Sequence, residues 1–280
     1  EITTRLVGSE MCIRDRLKYI RDELVSMTDK GNYQTFTSSL IPGCNNIIGV
    51  RQPALKKYAK QLVKENEDFR KLLTEPDLYY EETLLRGYII GMGTAKEKDF
   101  DKALEDLKKF VPLIDNWAVN DGFCVEFRIM DKYRQEFLPF LEKCILSEDE
   151  FEARAGLIML LDHYIKVDAD GNKKPRMKKV MLEDIGMCGK NNKKEEQGMY
   201  IDKILLLVNR DFSSNGYYTQ MAAGWLLAEC FVTFPLDTWR YLTDKENMKL
   251  DNVSYKKAIR KICESLTPDD EVKKVVRELA

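Results

Sequence analysis

The chain has 280 residues, 44% of them hydrophobic and 33% charged. That balance fits a folded protein with a substantial core and excludes a disordered chain. No run approaches the ~20 apolar residues of a membrane span. A formal net charge of −2 gives no bulk attraction to nucleic acid, so any such surface must come from local clustering of the 45 basic residues.

Residues 6–16 read as the translation of a transposon-end adapter used in preparing sequencing libraries, and residues 1–16 are set aside as a non-native leader. No apolar segment of ~7–15 residues marks a secretory signal. Leu17, Ile20, Leu24 and Met27 then give the first amphipathic helical face. Leu55, Tyr58, Ala59 and Leu62 give another, with Pro53 in its first turn, where proline is tolerated. Helical spacing continues over 78–91, 99–110, 117–130, 134–146, 150–164, 199–208, 217–233, 235–242, 254–265 and 270–279. No segment alternates with a period of two, so strands are not expected.

Successive helix pairs take up roughly 35–45 residues, the period of HEAT-type repeats. A pair cannot bury its apolar face alone, whereas stacked pairs can. The expectation is an all-α protein: an α-solenoid of HEAT-like helix pairs, an α-α superhelix with a concave cleft, forming one domain over 17–280. Residues 167–198 interrupt the pattern with Lys, Asp, Gly and Asn, apart from a possible helical turn at 177–185. A calcium loop starting at Asp168 needs Gly at its sixth position and Glu at its twelfth. Lys173 and Lys179 stand there, so calcium is excluded and the segment reads as a solvated, mobile insertion.

Seven cysteines, Cys12, Cys44, Cys124, Cys144, Cys188, Cys230 and Cys263, form no C-x-x-C pair. They read as the reduced thiols of a cytoplasmic protein. His163 is the one histidine, which excludes a His-rich metal site; no metal and no cofactor are expected. A hydrolase with a nucleophilic Cys would lack a base.

Trp117 and Asp121 stand four apart, which puts an indole and a carboxylate on one helix face. A core Trp beside a surface Asp fits the same spacing. Trp225 sits among Met221, Leu226 and Ala228, as in ordinary packing, and Arg154 could pair with Glu150. Two basic clusters stand out: Lys56, Lys57, Lys60 and Lys64, and Lys256, Lys257, Arg260 and Lys261. Such runs are usually solvated faces. They matter for DNA only where they neutralise phosphates.

Four segments carry a resemblance. They are Gly49-Val50-Arg51-Gln52-Pro53-Ala54-Leu55, Asn116-Trp117-Ala118-Val119-Asn120-Asp121, Tyr217-Tyr218-Thr219-Gln220-Met221-Ala222-Ala223-Gly224-Trp225-Leu226-Leu227-Ala228-Glu229, and Lys257-Ala258-Ile259-Arg260-Lys261-Ile262-Cys263-Glu264-Ser265. Together, and in this order, they resemble the signature segments of the DNA alkylation repair enzyme family, the AlkD-like HEAT-repeat DNA glycosylases.

The resemblance implies excision of N3- and N7-alkylated purines from duplex DNA by a monomer in a basic, aromatic-lined cleft, where the lesion need not be pulled into a pocket as base-flipping glycosylases require. It implies Asp121, Trp117 and Trp225 as catalytic residues. It implies Arg154, Tyr217, Tyr218, Arg51, Lys257, Arg260 and Lys261 as DNA-binding residues. Ala228 departs from relatives that carry a basic residue there. The reading of a different class is a non-catalytic HEAT module that holds a DNA structure or a protein partner.

Overall fold

The computed structural model describes residues 13–29, 31–73, 76–168, 170, 172, 174, 176–187 and 198–280, with the backbone alone for 13–17. The first twelve residues of the adapter-like leader, Cys12, Cys188, Lys173 and part of the 167–198 insertion lie outside them. The described residues hold thirteen α-helices and no strand, only the isolated bridges Asp168 to Gly198 and Val180 to Pro268. The expected all-α class is what is seen. Among the described residues no helix is long and apolar enough to cross a membrane. The chain divides into two units, one ending at Lys132 and the other running from Tyr133 to Ala280.

The first unit contains α1 (Ile13–Ser26), α2 (Tyr33–Leu40), α3 (Gln52–Glu65), α4 (Tyr80–Glu97), α5 (Phe100–Phe110) and α6 (Trp117–Glu126). Local chemistry sets several starts. Pro53 opens α3, Asp99 accepts from the Lys102 amide to cap α5, and Asn116 caps α6 through the Ala118 and Val119 amides. The α3, α4 and α6 helices run side by side in one direction. At the start of α4, the buried Glu81 carboxylate accepts the amides of Ile48, Gly49 and Val50, just ahead of α3. At the far ends, the Lys96 ammonium reaches the Val63 carbonyl. Gly91 lets α4 approach α6 closely, since a Cβ there would lie 2.8 Å from the Glu126 main chain. Leu55, Leu84, Tyr88, Phe110 and Phe123 fill the core between them.

The second unit contains α7 (Arg134–Ile145), α8 (Glu150–His163), α9 (Ile201–Val208), α10 (Tyr217–Thr233), α11 (Pro235–Thr243), α12 (Asn252–Glu264) and α13 (Asp270–Arg277). Helices α7 and α8 form an antiparallel hairpin, closed where Arg134 donates to the His163 carbonyl at 2.6 Å. Helices α8, α10 and α12 form a row with their N-termini on one edge. Glu150 at the start of α8 meets Tyr218 at the start of α10, and Gln220 of α10 donates to Asp251, the N-cap of α12. Each helix of that row packs on its neighbours in sequence, as repeat helices do.

Three expectations need correction. Helix α2 was not expected, because its residues are mostly Thr, Ser and Gln. The segment 117–130 is not one helix: α6 stops at Glu126 and a 3-10 turn covers Arg128–Asp131. The described part of the insertion is anchored at a few points, while Arg176, Lys178, Lys179, Met181 and Glu183 remain exposed as expected. Val167, Val180 and Ile185 are buried. The Met177 amide donates to Val232, and Val180 exchanges backbone hydrogen bonds with Thr267 and Asp269. Three apolar anchors outweigh a hydrophilic composition once the backbone has partners.

Candidate functional site

In the first unit, Trp117 opens α6 and Asp121 follows one turn later, both half-buried. The indole N–H donates to the Leu40 carbonyl at the end of α2, at 2.9 Å. Helix α2 therefore fixes the indole. Behind α6, Gly122 faces Leu84 and Tyr88 of α4, so the helix is seated on the core. The arrangement holds an aromatic plate and a carboxylate side by side on one rigid element. Arg51 stands at the N-cap of α3, largely exposed. Its guanidinium lies 2.7 Å from Asp29 and 4.9 Å from the Tyr33 ring centroid. Of the first basic cluster, Lys56 is engaged: it lies 2.9 Å from Glu126 and over the Tyr88 ring. Lys57, Lys60 and Lys64 are exposed.

In the second unit, α10 and α12 bring most of the remaining candidates together. Tyr217, Met221 and Trp225 recur every four residues along α10, and Lys257 and Lys261 do the same along α12. The Lys257 ammonium lies 4.1 Å from the Tyr217 ring centroid and 3.2 Å from the Met221 sulfur. That of Lys261 lies 5.9 Å from the Trp225 ring. Each lysine thus sits over an aromatic face, where a cation is favoured. Partial burial, and then the charges of Arg260 and Lys261, lower the Lys257 pKa. An incoming anion would relieve that repulsion. Arg260 is turned along α12 to Glu264 at 2.7 Å and is mostly exposed.

Arg154 is 5% exposed, and its guanidinium donates to the Tyr218 carbonyl at 2.6 Å. Glu150, one turn earlier on α8, accepts the Tyr218 amide at 2.6 Å. The two grip the start of α10 and hold the Tyr217–Tyr218 pair, whose rings meet edge to face at 5.4 Å. Tyr218 also packs on Phe151, with ring centroids 5.6 Å apart. The sequence reading missed Glu150 as a cap and Met221 as the step between two aromatics. The i, i+4 spacing of Tyr217, Met221 and Trp225 was the available signal.

Among the described residues, no group of three or more His, Cys, Asp or Glu could hold a metal ion. Burial raises the thiol pKa of Cys44 to about 11, of Cys144 to about 12 and of Cys230 further still. Thiols so raised are poor nucleophiles at neutral pH.

The family model described as DNA alkylation repair enzyme matches residues 20–262. No curated protein matches the chain.

Proposed function

The chain belongs to the DNA alkylation repair enzyme family, and on that premise we propose that it is a DNA glycosylase for N3- and N7-alkylated purines in duplex DNA. The observation that carries this reading is the Trp117–Asp121 pair on one turn of α6, with the indole fixed by Leu40. An N-alkylated purine is already cationic and leaves readily, so the protein has little need of an acid to protonate it. The demand falls on the sugar, which becomes oxocarbenium-like. The Asp121 carboxylate stabilises that charge and orients the attacking water. The face of Trp117 favours the same cation and excludes bulk solvent, and Trp225 is assigned the same role.

Arg51, Tyr217, Tyr218, Lys257, Arg260 and Lys261 are the DNA-binding residues of this proposal. Arg154 belongs with them and serves the Tyr217–Tyr218 pair through the Tyr218 carbonyl. Their contacts to phosphate set affinity, not sequence preference. The enzyme acts as a monomer without a cofactor. The free thiols of Cys44, Cys124, Cys144, Cys230 and Cys263 suit a reducing cytoplasm.

Single-turnover release of N7-methylguanine from duplex DNA, beside a gel-shift titration at fixed salt, tests the reading. Asp121→Asn keeps the shape and loses the charge, and should slow release by ~10²–10³ with binding retained. Equal release by variant and wild type removes Asp121 from catalysis. Binding without release by the wild type favours the non-catalytic module.

A further inference from the structure

On α10 the residues beyond Tyr218 that are not buried are Met221, Trp225 and Glu229. They continue the line begun by Tyr217, so the open face of the helix is one stripe. Lys257 stands beside Tyr217 and Met221, and Lys261 beside Trp225. The stripe ends on a carboxylate, which by itself would repel a phosphate backbone. The insertion meets it there. Arg176 lies 3.4 Å from Glu229, the Met177 amide donates to the Val232 carbonyl, and Val180 exchanges backbone hydrogen bonds with Thr267 and Asp269. Residues 176–180 thus cross from the end of α10 to the turn after α12, about one helical turn past the Trp225–Lys261 pair. Val180 is buried, whereas Lys178 and Lys179 are exposed and the chain bends at Lys178. Both lie within ~11 Å of the Arg176 backbone, at 3.8 Å per residue. Carboxylates around the crossing are engaged: Glu229 with Arg176, Glu264 with Arg260, and Asp269 with the Val272 amide. What faces solvent at the end of the stripe is a pair of lysines on backbone tied at both sides.

We propose that Lys178 and Lys179 take backbone phosphates of the bound duplex, so that the insertion lengthens the DNA-binding face of the second unit. This rests on the reading that duplex DNA is the ligand of that face. Arg176 serves indirectly, by neutralising Glu229 and fixing the crossing in place. From Tyr217 to Glu229 the stripe runs about 18 Å at 1.5 Å per helical residue, or about five base pairs at 3.4 Å each. A phosphate strand that follows Lys257 and Lys261 along it arrives at the two lysines. The tied backbone matters, because a lysine on a preplaced segment loses less freedom on binding than one on a loose tail. Contacts of this kind add affinity and fix register without reading sequence.

The test is equilibrium binding to a duplex with an abasic-site analogue, which fixes the register and needs no base release. Each lysine–phosphate contact adds about 0.9 to the slope of log K against log salt. Lys178→Ala/Lys179→Ala should therefore lower that slope by about 1.8, and its deficit against wild type should grow about tenfold as salt falls from 200 to 50 mM. Lys178→Arg/Lys179→Arg should bind as wild type does. Both residues are exposed, so the melting temperature should not move. Duplexes shortened stepwise from each end locate the contact: one shortening should weaken wild type and leave the alanine variant unaffected. An unchanged salt slope overturns the proposal, as do losses that run parallel for both proteins at every length, or a loss that arginine fails to restore. A lowered slope with no release of N7-methylguanine by wild type upholds the contact while the glycosylase reading falls. Release by wild type with an unchanged slope in the alanine variant does the reverse.

Discussion

Replacing Glu150 by alanine should destabilise the second unit by about 2 kcal/mol. Gly216, the N-cap of α10, provides no side-chain cap. The Tyr218 amide is satisfied by Glu150 from the neighbouring helix, at 2.6 Å. A hydrogen bond to a charged acceptor contributes about 1.5–3 kcal/mol, and an anion at a helix N-terminus about 0.3–1 kcal/mol. Both figures describe one contact, so they overlap rather than add. Glu150→Gln keeps an acceptor and loses the charge, and should cost about half as much. Urea unfolding monitored at constant m gives the stability change, and hydrogen exchange at the Tyr218 amide localises it. Asp149→Ala is the control, because Asp149 caps α8 through Phe151 and Glu152. It should cost about 1 kcal/mol and leave Tyr218 exchange unchanged. A loss below about 0.5 kcal/mol for Glu150→Ala, the scatter expected of unimportant surface changes, or unaltered exchange at Tyr218, would refute the capping argument.

Gly216→Ala should be more damaging than a usual helix-start substitution, since φ is +98° and the new Cβ would lie 2.6 Å from the Glu150 carboxylate; a melting temperature equal to wild type would contradict it. Burial, with Asp115 and Glu81 adding to it, raises Cys44 from 9.0 to about 11. Its alkylation by iodoacetamide should therefore climb well beyond pH 9, and a plateau by pH 9 would count against the burial. The linked stability is full below the unfolded thiol's pKa, where both states are protonated. It is lost as pH rises towards 11, because the unfolded thiol ionises first. Val180→Ala removes a fully buried side chain and should cost about 1–2 kcal/mol, somewhat less than full burial of a valine is worth. Exchange at the Asp269 amide, which donates to Val180, should rise with it, and protection as in wild type would mean that the segment is not seated there.

Helical periodicity was the readable part of this chain. The long apolar helices α4, α8 and α10 announce themselves, and α10 begins and ends where its spacing says. Helix α2 was hidden because it is short and polar and is held by contacts from Ile47 and Trp117, distant in sequence. The anchoring of the insertion was hidden for the same reason: its partners, Val232 and Thr267, belong to other elements. At the candidate site, Trp117 and Asp121 could be paired by counting along one helix. The grip of Glu150 and Arg154 on Tyr218 joins two helices more than 60 residues apart, and no local pattern encodes it.

The parallel row of α8, α10 and α12 has a consequence for how this chain can vary in length. The insertion leaves from the C-terminal end of α8 and fastens to Val232 near the end of α10 and to Thr267 and Asp269 beyond the end of α12. Glu150, Tyr217, Tyr218 and Asp251 all lie at the opposite end. Residues can thus be added or removed at one margin without altering the register at which Tyr217 and Lys257 meet. One end of the row is free to drift in sequence and length, while the other is held to a fixed pattern.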